Sequence, residues 1–468
     1  MIEFAQSPKP ASPGIARLLW PAIVVLAAAF FVADQHDWQL SRQPAFESQQ
    51  VAASPLVSKG GLPYRLALVA IAAFGLSLLA CPGECPWKFR GLLAVLVVCF
   101  LAWCAISWYW SDDPVLTAKQ LIVLAICLVC ASGIARHFRP RDLCLLALAV
   151  SGIYLAIGLC AELSLGTFRP WSADHRFAGT IHPNVQSTYC AVICLAAACL
   201  AAAGTRRRHL WISVFVVGLV FLLLTKSRTS LAALLVALPA LVLLGKSRRA
   251  KLLVAVGIPW VLCTAALLVS LAGGDAVDRF ADAALMGRRE QTQSLTGRVP
   301  LWTELLGYAQ QQPWRGYGYA SFWNKPRALA ISDAMEWHIP HAHSAYIDAT
   351  LSVGLVGAAV LLMLLVLGVL QARTRYQASG ETGYAFIFGL LVYGMVHGLT
   401  ESSFVQPTLI PCLAACGVLH LAFCLREDVS PEDEGDTFFH RRGGATGTVD
   451  LLTMRDRFAT GNRPYHNR

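Results

Sequence analysis

The run Trp337-His338-Ile339-Pro340-His341-Ala342-His343-Ser344-Ala345-Tyr346 places three histidines immediately ahead of an apolar stretch. A neutral imidazole is the side chain best matched to taking a proton near neutral pH. Histidines this close can also bind zinc, but no neighbouring cluster of Asp, Glu or Cys completes a ligand set, so neither a metal nor another cofactor is expected. His343 directly precedes the apolar stretch and can be held rigidly at its mouth, which makes it the candidate base. His338 and His341 are expected to support it.

Cations form the second group. Arg228 stands in Leu224-Thr225-Lys226-Ser227-Arg228-Thr229-Ser230, a short turn between two apolar segments. Arg298 lies in Leu295-Thr296-Gly297-Arg298, just before Trp302, and Arg176 opens Arg176-Phe177-Ala178-Gly179-Thr180-Ile181-His182-Pro183-Asn184. A single arginine at a membrane boundary commonly snorkels. Three in separate turns point instead to a shared anion site, because guanidinium groups hold phosphate oxygens bidentately and keep their charge when partly desolvated. At membrane depth the matching anion is a lipid-linked phosphate or diphosphate. Glu401, in Thr400-Glu401-Ser402-Ser403, is an expensive carboxylate at the end of an apolar stretch unless paired, and it can orient one of the arginines. His397, one turn earlier, reads as hydrogen-bonded within a bundle. Trp108, Trp110, Trp302, Trp314, Trp323 and Trp337 read as interfacial anchors rather than as a sugar platform.

The elements that must position these residues are membrane helices. The chain is 56% hydrophobic and 14% charged, with a mean hydropathy of +0.54, whereas a soluble domain carries about a quarter charged residues. Apolar stretches long enough to cross a bilayer predict an all-α integral membrane protein with about twelve transmembrane helices. They fall at 15–33, 63–80, 91–110, 116–135, 142–163, 185–203, 209–225, 229–245, 252–272, 345–370, 384–400 and 406–424. Strand alternation is missing, which argues against a β-barrel. No small-x-small cleavage site follows the first stretch, which therefore reads as an anchor. Residues 1–272 thus carry the first nine helices, 273–344 a single large loop between helices nine and ten, and 345–425 the last three. The 426–468 tail is acidic from Glu427 to Asp436 and then basic, without apolar periodicity, and is expected to be disordered.

Charge sets the orientation. Lys88 and Arg90; Arg136, Arg139 and Arg141; Arg206, Arg207 and Arg208; Lys246, Arg248, Arg249 and Lys251; and Arg373 and Arg375 fall in alternate loops. Cationic loops stay cytoplasmic, so both termini are expected inside and the 273–343 loop outside. The net charge of +10 reflects these anchors and the tail, and does not indicate a nucleic-acid partner. Of the 15 cysteines, most, such as Cys99, Cys127, Cys130, Cys194 and Cys412, lie in apolar stretches as small hydrophobes. Cys81 and Cys85 share a loop expected in the cytoplasm, where a disulfide is disfavoured, and the pair offers too few ligands for a metal.

Taken together, the motifs resemble the O-antigen ligase and polymerase superfamily of bacterial polysaccharide assembly. Trp108-Tyr109-Trp110-Ser111-Asp112-Asp113-Pro114 is similar to its early WS-x-D-P turn, Arg176 to Asn184 to its RF-x-G-T…PN segment, and Ser227-Arg228-Thr229 to its SR-[GT] turn. Thr296-Gly297-Arg298 with Trp302 is similar to TGR…W, and Pro313-Trp314-Arg315-Gly316-Tyr317-Gly318-Tyr319 to P-[WL]-x-G-x-G. His343-Ser344-Ala345-Tyr346, with Gly354 and Gly357 behind it, is similar to HN-x-Y/F…G-x-x-G. Ser344 departs from the usual Asn, although a hydroxyl can still donate a hydrogen bond. The pieces extend over most of the chain, and ligases and polymerases share them; Gly316 to Trp323 leans toward the polymerase branch.

The resemblance implies an inverting, metal-independent membrane glycosyltransferase acting at the periplasmic face of the bacterial inner membrane. Its donor would be a glycan on undecaprenyl diphosphate, and its acceptor a hydroxyl of another glycan, lipid A core or protein. By the same resemblance His343 is the general base, Arg228 and Arg298 bind the diphosphate and stabilise its departing charge, and Arg176 assists. A transporter or flippase for a lipid-linked glycan is the alternative, since outward cations suit that substrate too; transporters, however, bind near the bilayer midplane between paired repeats, and no convincing repeat is present. A non-enzymatic scaffold leaves the histidine and the arginines without a role.

Overall fold

The computed structural model describes residues 13–42, 61–83, 85–89, 91–172, 175–204, 206–245, 247–271, 293–337, 339–402 and 408–424. The expected 426–468 tail and His338 lie outside the described residues. Among the described residues the regular structure is helical, with no strand.

Every apolar stretch expected to span forms a helix. These are α1 (Pro13–Ala33), α2 (Leu62–Ala80), α3 (Gly91–Ile106), α4 (Pro114–His137), α5 (Pro140–Leu165), α6 (Pro183–Ala202), α7 (Arg208–Leu224), α8 (Arg228–Leu244) and α9 (Arg248–Leu271). After an intervening region with α10 (Gln293–Gln311) and α11 (Lys325–Met335) come α12 (Ala345–Ser379), α13 (Thr382–His397) and α14 (Leu409–Phe423). Six of them, α2 to α6 and α12, are long and apolar enough to cross a membrane; α1, α7, α8, α13 and α14 contain shorter apolar helices. The protein is a multi-pass, membrane-embedded helical bundle.

Helix starts follow from local chemistry. Pro114, Pro140 and Pro183 each occupy a first helical position, where the missing N–H costs nothing and φ is already helical. Asp113 caps α4, its carboxylate accepting from Leu116 N–H at 2.9 Å. The acidic turn before α4 is thus a helix start. Helix α6 is the centre of the bundle, with 78% of its apolar window buried against 22% for α2 and for α4. Its neighbours α5, α7, α8 and α13 enclose it, and α2 and α4 turn apolar side chains outward.

Among its described residues, the 273–344 region, expected as one loop, contains two helices. Leu301, Leu305 and Ala309 recur at helical spacing on α10 and are buried with Tyr317, Phe322, Trp323, Ile331, Ile339, Ala342 and Leu351 in a second small core. Trp323 is buried there, so it is not the interfacial anchor expected of it; Trp108 and Trp314 are exposed.

Helix α12 is broken at Gly354, which adopts φ 69°. Leu351 O accepts from Tyr317 N–H at 2.8 Å, and Leu355 N–H donates to Pro313 O at 2.7 Å. The 313–317 segment therefore takes over the helical bond that Leu355 would otherwise give to Leu351. Only glycines permit the approach: a Cβ on Gly354 would stand 2.2 Å from Trp314 O, and one on Gly316 2.5 Å from Gly354 N. The Pro-Trp-Arg-Gly-Tyr-Gly motif is accordingly a plug in a broken membrane helix.

Candidate active site

Glu401 is the junction of the polar residues. It lies in the turn after α13 and is buried. Its Oε1 accepts from Arg298 Nη2 at 3.2 Å and from Asn184 Nδ2 at 3.0 Å. Its Oε2 stands 3.7 Å from His343 Nδ1. Burial alone would raise this carboxyl, but the adjacent His343, with Arg298 and His397 beyond it, holds it well below the usual carboxylate range. Glu401 is therefore an anion at neutral pH, matched by cations and donors.

Arg298 reaches this junction from α10 and also donates through Nη1 to Thr400 O at 2.9 Å. Arg176 arrives from the irregular 175–182 segment. Its Nη2 donates to Asn184 Oδ1 and its Nε to Thr225 O at 2.8 Å. Asn184, at the start of α6, thus joins Arg176 to Glu401 and, through it, to Arg298. The segment carrying Arg176 is pinned from below by Glu162, whose Oε1 accepts from Ala178 N–H at 2.9 Å and Gly179 N–H at 2.8 Å.

Arg228 is half-buried and opens α8 beside this cluster. The next two residues face it: Thr229 Oγ1 accepts from Thr400 Oγ1 at 3.3 Å, and Ser230 Oγ lies 3.1 Å from His397 Nε2. Ser230 also meets Ser187 on α6 at 2.6 Å. His397 is thus hydrogen-bonded inside the bundle, as its position suggested.

His343 has φ 50°, a left-handed conformation that is uncommon for a residue with a Cβ. Such strain persists only where surrounding contacts over-determine the backbone. Its N–H donates to His341 Nδ1 at 3.2 Å, and its ring lies against Trp337 and His341, with centroids 5.6 Å and 4.2 Å away. Neither ring nitrogen makes a hydrogen bond within the protein. Ser402 Oγ lies 3.2 Å from the His341 Nδ1. Desolvation, reinforced by His343, pushes the His341 imidazole well below the ordinary histidine range, so it is neutral. Ser344 is the N-cap of α12, but its hydroxyl makes no capping bond.

His343, Arg298, Arg176, Glu401 and His341 therefore come together, with Arg228 at their edge. Asn184, Ser402 and Asp348 were missed as site residues. Asn184 closes the RF-x-G-T…PN segment and could have been found there. Asp348 also gave a signal, as a carboxylate in the first turn of a membrane helix. Among the described residues no group of three or more His, Cys, Asp or Glu is arranged to hold a metal ion. An apolar cavity of about 160 Å³ between α3, α4, α12 and α14 has no charged residue in its lining.

The chain matches known proteins. Residues 213–362 match the family model described as O-antigen ligase, a stretch that includes Arg228, Arg298 and His343. The chain is also 25% identical over 331 residues to the exopolysaccharide production protein ExoQ of Rhizobium meliloti (strain 1021), covering 66% of this chain and 73% of that protein. Both matches bear out the resemblance to the O-antigen ligase and polymerase superfamily.

Proposed function

We propose that this protein is a membrane glycosyltransferase that moves a glycan from an undecaprenyl-diphosphate carrier to a hydroxyl acceptor at the periplasmic face of the inner membrane. One observation carries the reading: Arg176, Arg298, Glu401 and His343, from four separate chain segments, meet at one end of an apolar bundle. The similarity to an exopolysaccharide production protein favours a polysaccharide product, the polymerase version of the reaction over the ligase version. The orientation rests on charge, since Lys88, Arg136, Arg139 and Arg141 gather at the opposite end of the bundle.

In the proposed reaction the acceptor oxygen attacks the anomeric carbon from the face opposite the diphosphate. His343 Nε2 takes the acceptor's proton while Glu401, facing Nδ1, orients the ring and balances the charge that forms. The bond between the anomeric carbon and the diphosphate oxygen breaks, and undecaprenyl diphosphate leaves with the electron pair. Arg298, Arg228 and Arg176 offset the leaving group's charge, and the positive end of the α8 dipole at Arg228 adds to theirs. Fixed cations stabilise such a departure without reorganising at the moment of reaction.

The test uses the purified full-length protein in detergent, an undecaprenyl-diphosphate glycan and candidate hydroxyl acceptors. Glycan transfer that survives EDTA and disappears in His343→Ala is the expected result. Transfer by His343→Ala at the wild-type rate refutes the base assignment. Movement of the intact lipid-linked glycan across proteoliposomes without transfer refutes the enzyme reading in favour of transport.

A further inference from the structure

Asp348, one turn into α12, has no role in the reaction as drawn. It is 3% exposed, and its carboxylate is met by donors from three different segments. Trp323 Nε1 donates to Oδ1 at 2.7 Å and Ala342 N–H to the same oxygen at 3.1 Å. The Ser402 hydroxyl donates to Oδ2. A carboxylate at this depth is tolerated only when its charge is answered in this way.

Two of these donors flank the reacting pair. Ala342 immediately precedes His343, and Ser402 immediately follows Glu401. Neither segment belongs to a helix, so no ladder of backbone bonds sets the distance between them. Ala345 N–H also ties the two turns, through Gly398 O at 2.9 Å and Glu401 O at 3.2 Å. That tie holds the backbones together but does not by itself orient either side chain. The Asp348 clamp acts on the neighbouring residue in each turn and supports the left-handed conformation of His343.

We infer that Asp348 is a positioning residue, a single carboxylate that sets the spacing of His343 and Glu401 by clamping Ala342 and Ser402 to Trp323. The inference rests on the proposed role of His343 as base. A carboxylate suits the position because it offers acceptors only. An asparagine of the same shape can keep both donors on Oδ1, but it presents N–H to Ser402 Oγ and so turns that hydroxyl toward His341. Asp348→Asn therefore alters the Ser402 arm while sparing the rest.

The experiment compares full-length wild type, Asp348→Asn, Ser402→Ala and Ser402→Thr in detergent, with two readouts. The first is glycan transfer from the undecaprenyl-diphosphate donor. Asp348→Asn and Ser402→Ala are expected to lower kcat about tenfold or more, as misplacement of a reacting group does, with donor KM within about twofold. Ser402→Thr, which keeps the hydroxyl, restores kcat. The second is carbethoxylation of His343 by diethyl pyrocarbonate without substrate, followed by peptide mass spectrometry, which is expected to be several-fold faster in Asp348→Asn and Ser402→Ala. An unchanged kcat beside a lowered melting temperature, or a loss confined to donor KM, overturns the inference. If wild type transfers no glycan, the proposed reaction fails and the carbethoxylation rates alone decide: equal rates in all four proteins overturn the clamp. Should Asp348→Asn not fold, Ser402→Ala, which removes one arm only, carries both readouts.

Discussion

Replacing Arg298 by alanine strips the Glu401 carboxylate of the guanidinium that hydrogen-bonds it while leaving it ionised and buried. At 3.2 Å the pair's Coulomb energy is about 5 kcal/mol at an effective dielectric near 20. The net value is smaller, because both groups surrender hydration to meet: their side chains are 19% and 12% exposed. Asn184 still donates to Glu401 at 3.0 Å and His343 still faces it, so the orphaned charge keeps some compensation. We expect Arg298→Ala to destabilise the protein by about 2 kcal/mol, below the 3–5 kcal/mol typical of a broken buried pair because of that remaining compensation. Glu401→Gln removes the charge while its amide oxygen can still accept from Asn184, and is expected to cost about 1 kcal/mol. The double variant Arg298→Ala/Glu401→Gln no longer holds an unanswered carboxylate. Its cost should fall short of the sum of the singles by about 1–2 kcal/mol, the coupling range of residues in one network. Unfolding in mixed micelles titrated with SDS, monitored by tryptophan fluorescence, measures all three. Additivity within about 0.5 kcal/mol refutes the reasoning, because residues without coupling add to that precision.

Acid titration supplies a test of Glu401 by another route. Its folded carboxyl is held below the reference value of 4.5, so its contribution to stability is fully present above that value and is lost as pH falls toward the folded one. Wild type should lose stability between about pH 5 and pH 3 more steeply than Glu401→Gln, and parallel acid melting curves contradict this. Gly354→Ala forces a Cβ to within 2.2 Å of Trp314 O at φ 69° and should cost about 3 kcal/mol or more; fluorescence-detected size exclusion should show aggregation or much reduced yield. Arg327 lies 4.6 Å from the Tyr317 ring and 4.8 Å from that of Phe322, and pairs with Asp112 at 2.6 Å. Arg327→Ala should loosen the small core by about 1–2 kcal/mol, seen as faster amide exchange through 317–327, and unchanged exchange there would contradict its bracing role.

Much of the fold was legible because hydropathy is local. A stretch such as 185–203 is a membrane helix by its own composition, and Pro183 and Pro114 mark starts without help from the rest of the chain. The residue types of the site were legible for the same reason: His343 and the arginines at 176, 228 and 298 stood out as polar groups beside apolar ones. The helices α10 and α11 were not, because their apolar faces are short and are buried by Tyr317, Phe322 and Ile339, which lie elsewhere in the loop. The Gly316 to Trp323 run suggested a branch of the superfamily; the structural role of the 313–317 segment, replacing a hydrogen bond inside α12, depended on a partner helix.

By itself the sequence determined a helical membrane protein and a short set of residues whose types could bind an anion and accept a proton. Only the tertiary structure decided how those residues are shared. It gave Glu401 to Arg298, Asn184 and His343 together rather than to one arginine. It made Asn184 the link from Arg176, and Asp348 the carboxylate between the turns of His343 and Glu401. The physical reason is that a buried charge must be answered within about 4 Å, and a distance of that size between residues far apart in the chain is set by the packing of whole helices, which no local pattern records.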